Sequence, residues 1–383
     1  MFISKRIEYP EIIDHVEPER QPAMKIAFLL TQLEMGGAQT RVFETAAELR
    51  SRGHWVDVIF LYKKRSCFET EKKIILHEAG KPSAISAPGL LAKLVNQFKS
   101  NQYDVLVTNT APANILGSVC GRIAGLNTRI SVQTQPPQRV SAALRFLDRQ
   151  VGSLGFYTVN IANSDWTRSC FTGYNKSYLQ HMKIVKDGIS PPFSTADRQE
   201  ARYAFGIKQD DFVVMNVGRL SPQKGQATLV SAMSQVDGRL VIAGEGELRP
   251  DLEHQIANAG LQDRVTLLGE IPRTRVGLLF RAADVFAFSS RWETFGLALI
   301  EAAANGLPLV ATGLDVSREV LGAYAESALF VEPGDSGGFA EALNRLRNNP
   351  ALRASMSANS LRTADLYTIK RHTDRLLEVF GQE

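Results

Sequence analysis

Residues 284–305 read DVFAFSSRWETFGLALIEAAAN, and the fold follows from how that run divides. Its first seven residues form a short apolar stretch with β-branched and aromatic side chains, the signature of a buried strand. Residues 291–296 carry the charge, the glycine and the hydroxyl expected of a loop, and residues 297–305 continue as aliphatic and small residues suited to a helix. A strand that passes through a tight loop into a helix is half of a βαβ unit. Such units build parallel sheets flanked by helices.

The same alternation extends in both directions. LPLVAT (307–312) and ALFVE (328–332) follow, while FVVMNVG (212–218), RLVIAGEG (239–246) and VTLLGE (265–270) precede. A second series occupies the first half: KIAFLL (25–30), VDVIFL (56–61), YDVLVTN (103–109), TRISVQT (128–134), VNIANS (159–164) and KIV (183–185), with helical spacing between, as over residues 40–52. Two series imply an α/β protein of two doubly wound, Rossmann-like domains facing across a cleft. The length of 383 residues agrees, being too great for one core. Ser190-Pro191-Pro192 stops regular structure, and a charged helix over 197–204 opens the second series. The expected organisation is a polar tail (1–23), a first domain (24–190), a second domain (191–365) and a closing segment (366–383) that crosses back to the first.

Composition narrows the class. Hydrophobic residues are 44% and charged residues 22%, ordinary globular values. Cys67, Cys120 and Cys170 form no metal-ligand spacing and no disulfide framework, which fits a reducing compartment. No apolar run reaches the roughly 18 residues that span a bilayer, and the first twenty residues mix charge and apolar side chains too finely for a signal peptide, so cytoplasmic residence is expected. The net charge of +4 conceals an asymmetry. Residues 24–190 hold 21 Lys and Arg against 11 Asp and Glu, residues 191–383 hold 20 against 24, and residues 1–23 hold 3 against 5. The basic excess of the first domain points to an anionic surface on its side.

In parallel sheets, ligands bind beyond the carboxyl ends of the strands, where helix N-termini offer N–H groups and partial positive charge. Residues 218–225 read G-R-L-S-P-Q-K-G after a strand, placing the Arg219 guanidinium and the Lys224 ammonium where a diphosphate could sit. Glu293 lies in the next strand-end loop, and Glu301 lies eight residues on, inside an otherwise apolar helix. Carboxylates accept hydrogen bonds from sugar hydroxyls, so two of them flanking an anion-binding helix start suit a nucleotide diphosphate with a sugar at each end. An unpaired carboxylate among apolar residues is costly, so Glu301 is expected to have a polar partner. Gly244 and Gly246 lack the third glycine of a dinucleotide fingerprint, and no metal-ligand motif is present.

Together these runs resemble glycosyltransferase family 4, the retaining nucleotide-sugar transferases of GT-B fold. The resemblance is densest over residues 212–335, where G-R-L-x-x-x-K-G, L-V-I-A-G-E-G, V-x-L-L-G-E-I-P, the long run from Ser289 and L-F-V-E-P-G-D stand in the family's order. It implies that Arg219 and Lys224 neutralise the donor diphosphate, that Glu293 orients the donor sugar, and that Glu301 holds the ribose hydroxyls. It implies that the backbone at Phe295, Gly296 and Leu297 meets sugar and phosphate, with Gly244 near the ribose and Ile271 near the base. Gly36 and Gly37 match the family's glycine-rich turn near donor phosphates and acceptor. No bound metal or cofactor is implied; the nucleotide-diphosphate sugar is a co-substrate.

The chain departs from the family pattern at one place. Many members carry a histidine near the donor sugar where this sequence reads S-V-Q-T-Q-P-P (131–137), and none of the six histidines lies there. Gln133 or Gln135 could hydrogen-bond a sugar but cannot shuttle a proton. Front-side retaining transfer can use the donor phosphate as base instead. Asn163-Ser164 and the turn at residues 186–189 resume the agreement. Between Gln138 and Phe156, Arg139, Arg145 and Arg149 interleave with Val140, Leu144, Phe146, Leu147, Val151 and Leu154. That pattern fits either a helix resting on an anionic membrane or a helix packed on the domain surface. The expected activity is transfer of a hexose to a saccharide or lipid-linked saccharide acceptor in cell-surface polysaccharide biosynthesis. The enzyme would then be cytoplasmic, or peripheral on the inner face of the membrane. A non-catalytic nucleotide-sugar-binding subunit and an epimerase of the same fold are the alternatives. A nucleic-acid partner is not expected, since no aromatic-basic stacking motif accompanies the basicity.

Overall fold

The computed structural model describes residues 23–381 apart from 35, 70, 84, 85 and 325. The polar tail expected over 1–23 thus lies, but for Ala23, outside the described residues. Seven parallel strands form the first sheet: β1 (Lys25–Leu33), β2 (Trp55–Lys63), β3 (Ile74–Ile75), β4 (Val105–Asn109), β5 (Thr128–Gln133), β6 (Val159–Ala162) and β7 (Met182–Ile184), in the order β3-β2-β1-β4-β5-β6-β7. Six form the second: β8 (Val213–Val217), β9 (Arg239–Ala243), β10 (Val265–Gly269), β11 (Val285–Phe288), β12 (Leu309–Thr312) and β13 (Ala328–Val331), ordered β10-β9-β8-β11-β12-β13. Every predicted strand is present. The two-residue β3 pairs only with β2 at the sheet edge and is too short to leave a pattern in the sequence.

Helices cover both faces of each sheet, so strand residues are buried whichever way they point. In β1, Ile26, Phe28 and Leu30 enter the core on one side while Ala27 and Leu29 enter the core on the other. The helix Gly37–Ser51 starts three residues before the helical spacing read over 40–52, because extended Gly36 serves as N-cap and its carbonyl accepts from Thr40 at 3.0 Å. The charged helix is Arg198–Ala204, opened by a capping box in which Asp197 and Glu200 exchange side-chain and backbone bonds. The chain leaves the first sheet at Ile184 and returns at its end. Leu376, Leu377 and Phe380 of the helix Ile369–Phe380 pack in the first domain's core. Nearby, Arg52 pairs with Asp374 at 2.5 Å.

Both strand orders reverse direction once. In the first sheet β1 lies between β2 and β4, and in the second β8 lies between β9 and β11. At these switch points successive crossovers leave to opposite faces, which opens a crevice beyond the strand ends. The loops that carry the glycine turn, the two cations and Glu293 follow β1, β8 and β11.

Candidate active site

Two loops of the second domain are laced together at its switch point. Arg291 N–H donates to the Gln223 carbonyl at 2.8 Å, Ser289 Oγ donates to the Lys224 carbonyl at 2.9 Å, and Gln223 Nε2 donates to the Trp292 carbonyl at 3.3 Å. This framework brings Lys224 Nζ onto Glu293 Oε1, although the two residues are far apart in sequence. Ser290 Oγ donates to the same carboxylate oxygen at 3.0 Å. Glu293 is buried and Lys224 half-buried, so this ion pair is shielded from solvent far more than a surface pair. Arg219 remains exposed.

Glycines shape the same place. A Cβ on Gly244 would lie 2.0 Å from the Gly218 carbonyl oxygen, and Gly244 has φ +145, so the β9 loop can pass behind the cationic loop only without a side chain. Gly296 is the left-handed N-cap, φ 86, of the helix Leu297–Ala304, and no side chain caps that end. Phe295 is buried with its ring 5.6 Å from the ring centroid of Tyr367. Leu297 reaches across it: a Cβ on Gly37 would lie 3.1 Å from Leu297 Cδ1. Gly37 thus faces the N-terminus of that helix from the opposite domain, while Gly36 lies against the Gln39 side chain of its own helix. Ile271 is half-buried against the core of the second domain, beside the β10 end.

Glu301 has the polar partner that its apolar helix requires. Arg273 Nη1 donates to Glu301 Oε1 at 2.9 Å. Burial pushes the Glu301 carboxyl above its ordinary value, against the pull of Arg273. Across the crevice, Glu34 follows β1. Burial raises its pKa, but bonds from Lys64 and Gln32 and the charges of Lys64 and Arg219 outweigh that and hold it below the ordinary carboxylate value. Arg219 therefore sits in the field of an acidic group from the first domain, a relation no motif announced.

The domains also meet beside the crevice. Ser164 Oγ and Thr167 Oγ1 each donate to the Thr294 carbonyl at 3.3 Å, and Arg139 stacks on Trp292 at 4.4 Å. Glu319 accepts from the N–H groups of Asp165 and Trp166, each at 2.9 Å. Asp187 accepts from Arg41 at 2.6 Å and from Asn163 at 3.0 Å, locking the 186–189 turn beneath this contact.

Gln133, at the end of β5, is turned inward. Its amide nitrogen is bound inward to Tyr178 and Asn160, both at 3.1 Å, and to Asp148 at 3.3 Å, and the residue is buried. Those partners need its donors, since Asp148 is a buried carboxylate that also accepts from Tyr178 at 2.7 Å and Tyr157 at 2.8 Å. Gln135 is exposed.

Asp148 also orients a helix. Of the helix Ala142–Ser153 only Asp148 and Gly152 are buried, while Phe146 and Leu147 are 61% and 46% exposed, and Leu154 just beyond is 66% exposed. Arg145 and Arg149 are exposed beside them. Asp148 anchors this helix, with Leu144 and Val151 half-buried beside it, while Phe146, Leu147 and Leu154 face out. Among the described residues no helix is long and apolar enough to cross a membrane, and no group of three or more His, Cys, Asp or Glu is placed to hold a metal ion.

Comparison with known proteins bears on the family and the fold. Residues 35–190 match the family described as Glycosyltransferase Family 4, and residues 197–363 match that described as Glycosyl transferases group 1. The chain is 24% identical over 311 residues to the UDP-Gal:alpha-D-GlcNAc-diphosphoundecaprenol alpha-1,3-galactosyltransferase of Escherichia coli, a match covering 76% of this chain and 78% of that one. It is 34% identical over 197 residues to the lipopolysaccharide core biosynthesis glycosyltransferase LpsD of Rhizobium meliloti, covering 50% of this chain and 54% of LpsD. Its fold resembles that of Anabaena Alr3699/HepE, solved with UDP and glucose, at a TM-score of 0.82 and 23% identity, covering 94% of this chain and 99% of that one. With two parallel-sheet domains of GT-B fold and family matches over both, the chain belongs to glycosyltransferase family 4.

Proposed function

We propose that this glycosyltransferase moves a hexose from a nucleotide-diphosphate sugar to a saccharide or lipid-linked saccharide acceptor, with retention at the anomeric carbon, in the assembly of cell-surface polysaccharide. The observation that carries the reading is the meeting of Lys224 and Glu293 at the second domain's switch point, between exposed Arg219 and the uncapped helix start at Gly296. A cation beside a carboxylate there provides for both parts of a donor, the diphosphate and the sugar.

In this reading the donor diphosphate lies against Arg219, Lys224 and the N–H groups at the start of the helix Leu297–Ala304. The bond from the anomeric carbon to the phosphate oxygen breaks, and negative charge grows on the leaving diphosphate. Fixed cations stabilise that charge more than the ground state, which lowers the barrier. The acceptor oxygen bonds to the anomeric carbon on the face the diphosphate leaves, and its proton passes to a phosphate oxygen. No protein base is then required, in keeping with a β5 end that offers no histidine. Glu293 orients the sugar through its hydroxyls, and Glu301 accepts from the ribose.

The outward helix Ala142–Ser153 supports a lipid-linked acceptor. Exposed Phe146, Leu147 and Leu154 beside Arg145 and Arg149 suit the surface of an anionic bilayer, and Arg139, at the start of the same segment, touches Trp292 in the crevice loop. A lipid-anchored acceptor would then meet the donor without leaving the membrane. The E. coli relative, named for a diphosphoundecaprenol-linked acceptor, is consistent with this. The test is incubation of purified protein with a panel of nucleotide sugars and lipid-linked acceptors, followed by nucleotide release and product mass. Sugar transfer from at least one donor is expected, and neither turnover nor binding with any donor would overturn the reading.

A further inference from the structure

Arg273 belongs to none of the residue sets that the sequence motifs single out. It is the first residue of the helix Arg273–Ala282, and its guanidinium touches three separate parts of the chain. Nη1 donates to Glu301 Oε1 at 2.9 Å, while Nη2 donates to Glu44 Oε1 at 2.7 Å and to the Ser190 carbonyl. Glu44 stands on the helix Gly37–Ser51 of the first domain, and its other oxygen accepts the Ser190 N–H at 3.0 Å. One planar fork therefore joins the Glu301 helix, the helix that follows the first domain's glycine turn and the segment linking the domains.

The electrostatics make this fork necessary. The Glu44 and Glu301 side chains are 15% and 14% exposed, and each is pushed toward its neutral form by burial, Glu44 further by the charge of Glu301. Arg273 is the cation that pulls both back. A guanidinium can serve two carboxylates in fixed directions, whereas an ammonium has no such planar fork. Glu301 Oε2 makes no hydrogen bond among the described residues, so an acceptor atom is left for a ligand on the carboxylate that Arg273 orients.

We propose that Arg273 is a positioning residue of the donor site: it holds the Glu301 carboxyl group turned toward the nucleotide ribose, and by sharing its fork with Glu44 and Ser190 it ties that group to the placement of the first domain. The inference rests on the assignment of Glu301 to the ribose under the proposed function. Its two halves separate by substitution. Arg273→Gln removes the charge from both carboxylates, while Glu44→Gln weakens only the tie across the domains.

The probes are whichever of UDP, GDP and ADP the wild-type protein binds most tightly, and the 2′,3′-dideoxy form of the same nucleotide. Arg273→Gln is expected to weaken the ribonucleotide about tenfold, in line with the loss of a charge-assisted bond, and the dideoxy form less than about twofold. Arg273→Lys is expected not to restore the difference. Glu44→Gln is expected to leave nucleotide affinity and donor KM near wild type and to lower kcat about fivefold or more, because the acceptor side no longer holds its angle. Equal weakening of both nucleotides by Arg273→Gln, or wild-type kcat in Glu44→Gln, would overturn the inference while leaving the transferase reading intact. A wild-type protein that binds both nucleotides equally would instead remove the ribose assignment, and the inference with it.

Discussion

Replacing Lys224 by Met separates the stability of the donor site from its chemistry. Lys224 and Glu293 form a pair whose side chains are 22% and 8% exposed. Stripping one partner from a buried pair costs about 3–5 kcal/mol, because the remaining charge stays buried without compensation. Here water reaches Lys224, and Ser290 Oγ keeps its 3.0 Å bond to the carboxylate, so the cost should fall at or just below that range, about 2–3 kcal/mol. For a domain of this size that corresponds to a fall of about 5–10 °C in melting temperature. Lys224→Met combined with Glu293→Gln leaves no buried charge and should recover most of the loss, to within about 1 kcal/mol. Catalysis should behave differently. Loss of a cation aimed at the leaving diphosphate is expected to lower kcat by about 10²–10³, and the double variant should stay at least as low. Differential scanning calorimetry with single-turnover kinetics on the same preparations reads both quantities. Turnover that recovers along with the melting temperature would refute the argument, since Lys224 would then be acting only as a structural counter-ion.

Other consequences follow from single groups. His372 is buried against the Lys186 carbonyl at 3.0 Å, and burial, with the nearby Arg41 charge, pushes its pKa down to about 4 from 6.5. The unfolded chain therefore takes up the proton first as pH falls. Stability should be full above about pH 6.5 and decline by about 3 kcal/mol on reaching pH 4, and His372→Gln should flatten that part of a urea-midpoint profile against pH. Gly244→Ala places a methyl 2.0 Å from the Gly218 carbonyl at φ +145 and should destabilise the second domain by about 3 kcal/mol or more, visible as a lowered denaturation midpoint. Phe146→Ser with Leu147→Ser should move the protein from pellet to supernatant in sedimentation with anionic liposomes, and should leave donor hydrolysis in lipid-free buffer unchanged. Equal recovery of wild type and variant in the pellet would remove the membrane face from the account.

The strands and the crevice loops were legible because both depend on local pattern. A strand covered on both faces must be a run of apolar residues, and the residues at its end must be loop formers wherever helices follow. Glu301 was legible as a residue in need of a partner, but the partner was not, since Arg273 lies 28 residues before it and Glu44 a further 229. The inward bonds of Gln133 were not legible for a related reason. Alternation along a strand says which residues share a face but not which face opens on the crevice, and the deciding group, Asp148, comes 15 residues later on a helix. The same carboxylate explains why the helix Ala142–Ser153 could not be oriented from its spacing. Periodicity gives the spacing of apolar and polar residues, and only the clasp of Asp148 by Tyr157, Tyr178 and Gln133 determines that Asp148 points in while Phe146 and Leu147 point out.

The most direct measurement is the anomeric configuration of the transferred sugar. With the donor identified from the panel, proton NMR of the fresh product reads the configuration at the new glycosidic bond before it can equilibrate. The proposed placement of Arg219 and Lys224 on the leaving diphosphate, with no histidine at the β5 end, predicts the same configuration as in the donor. An inverted product would contradict the account.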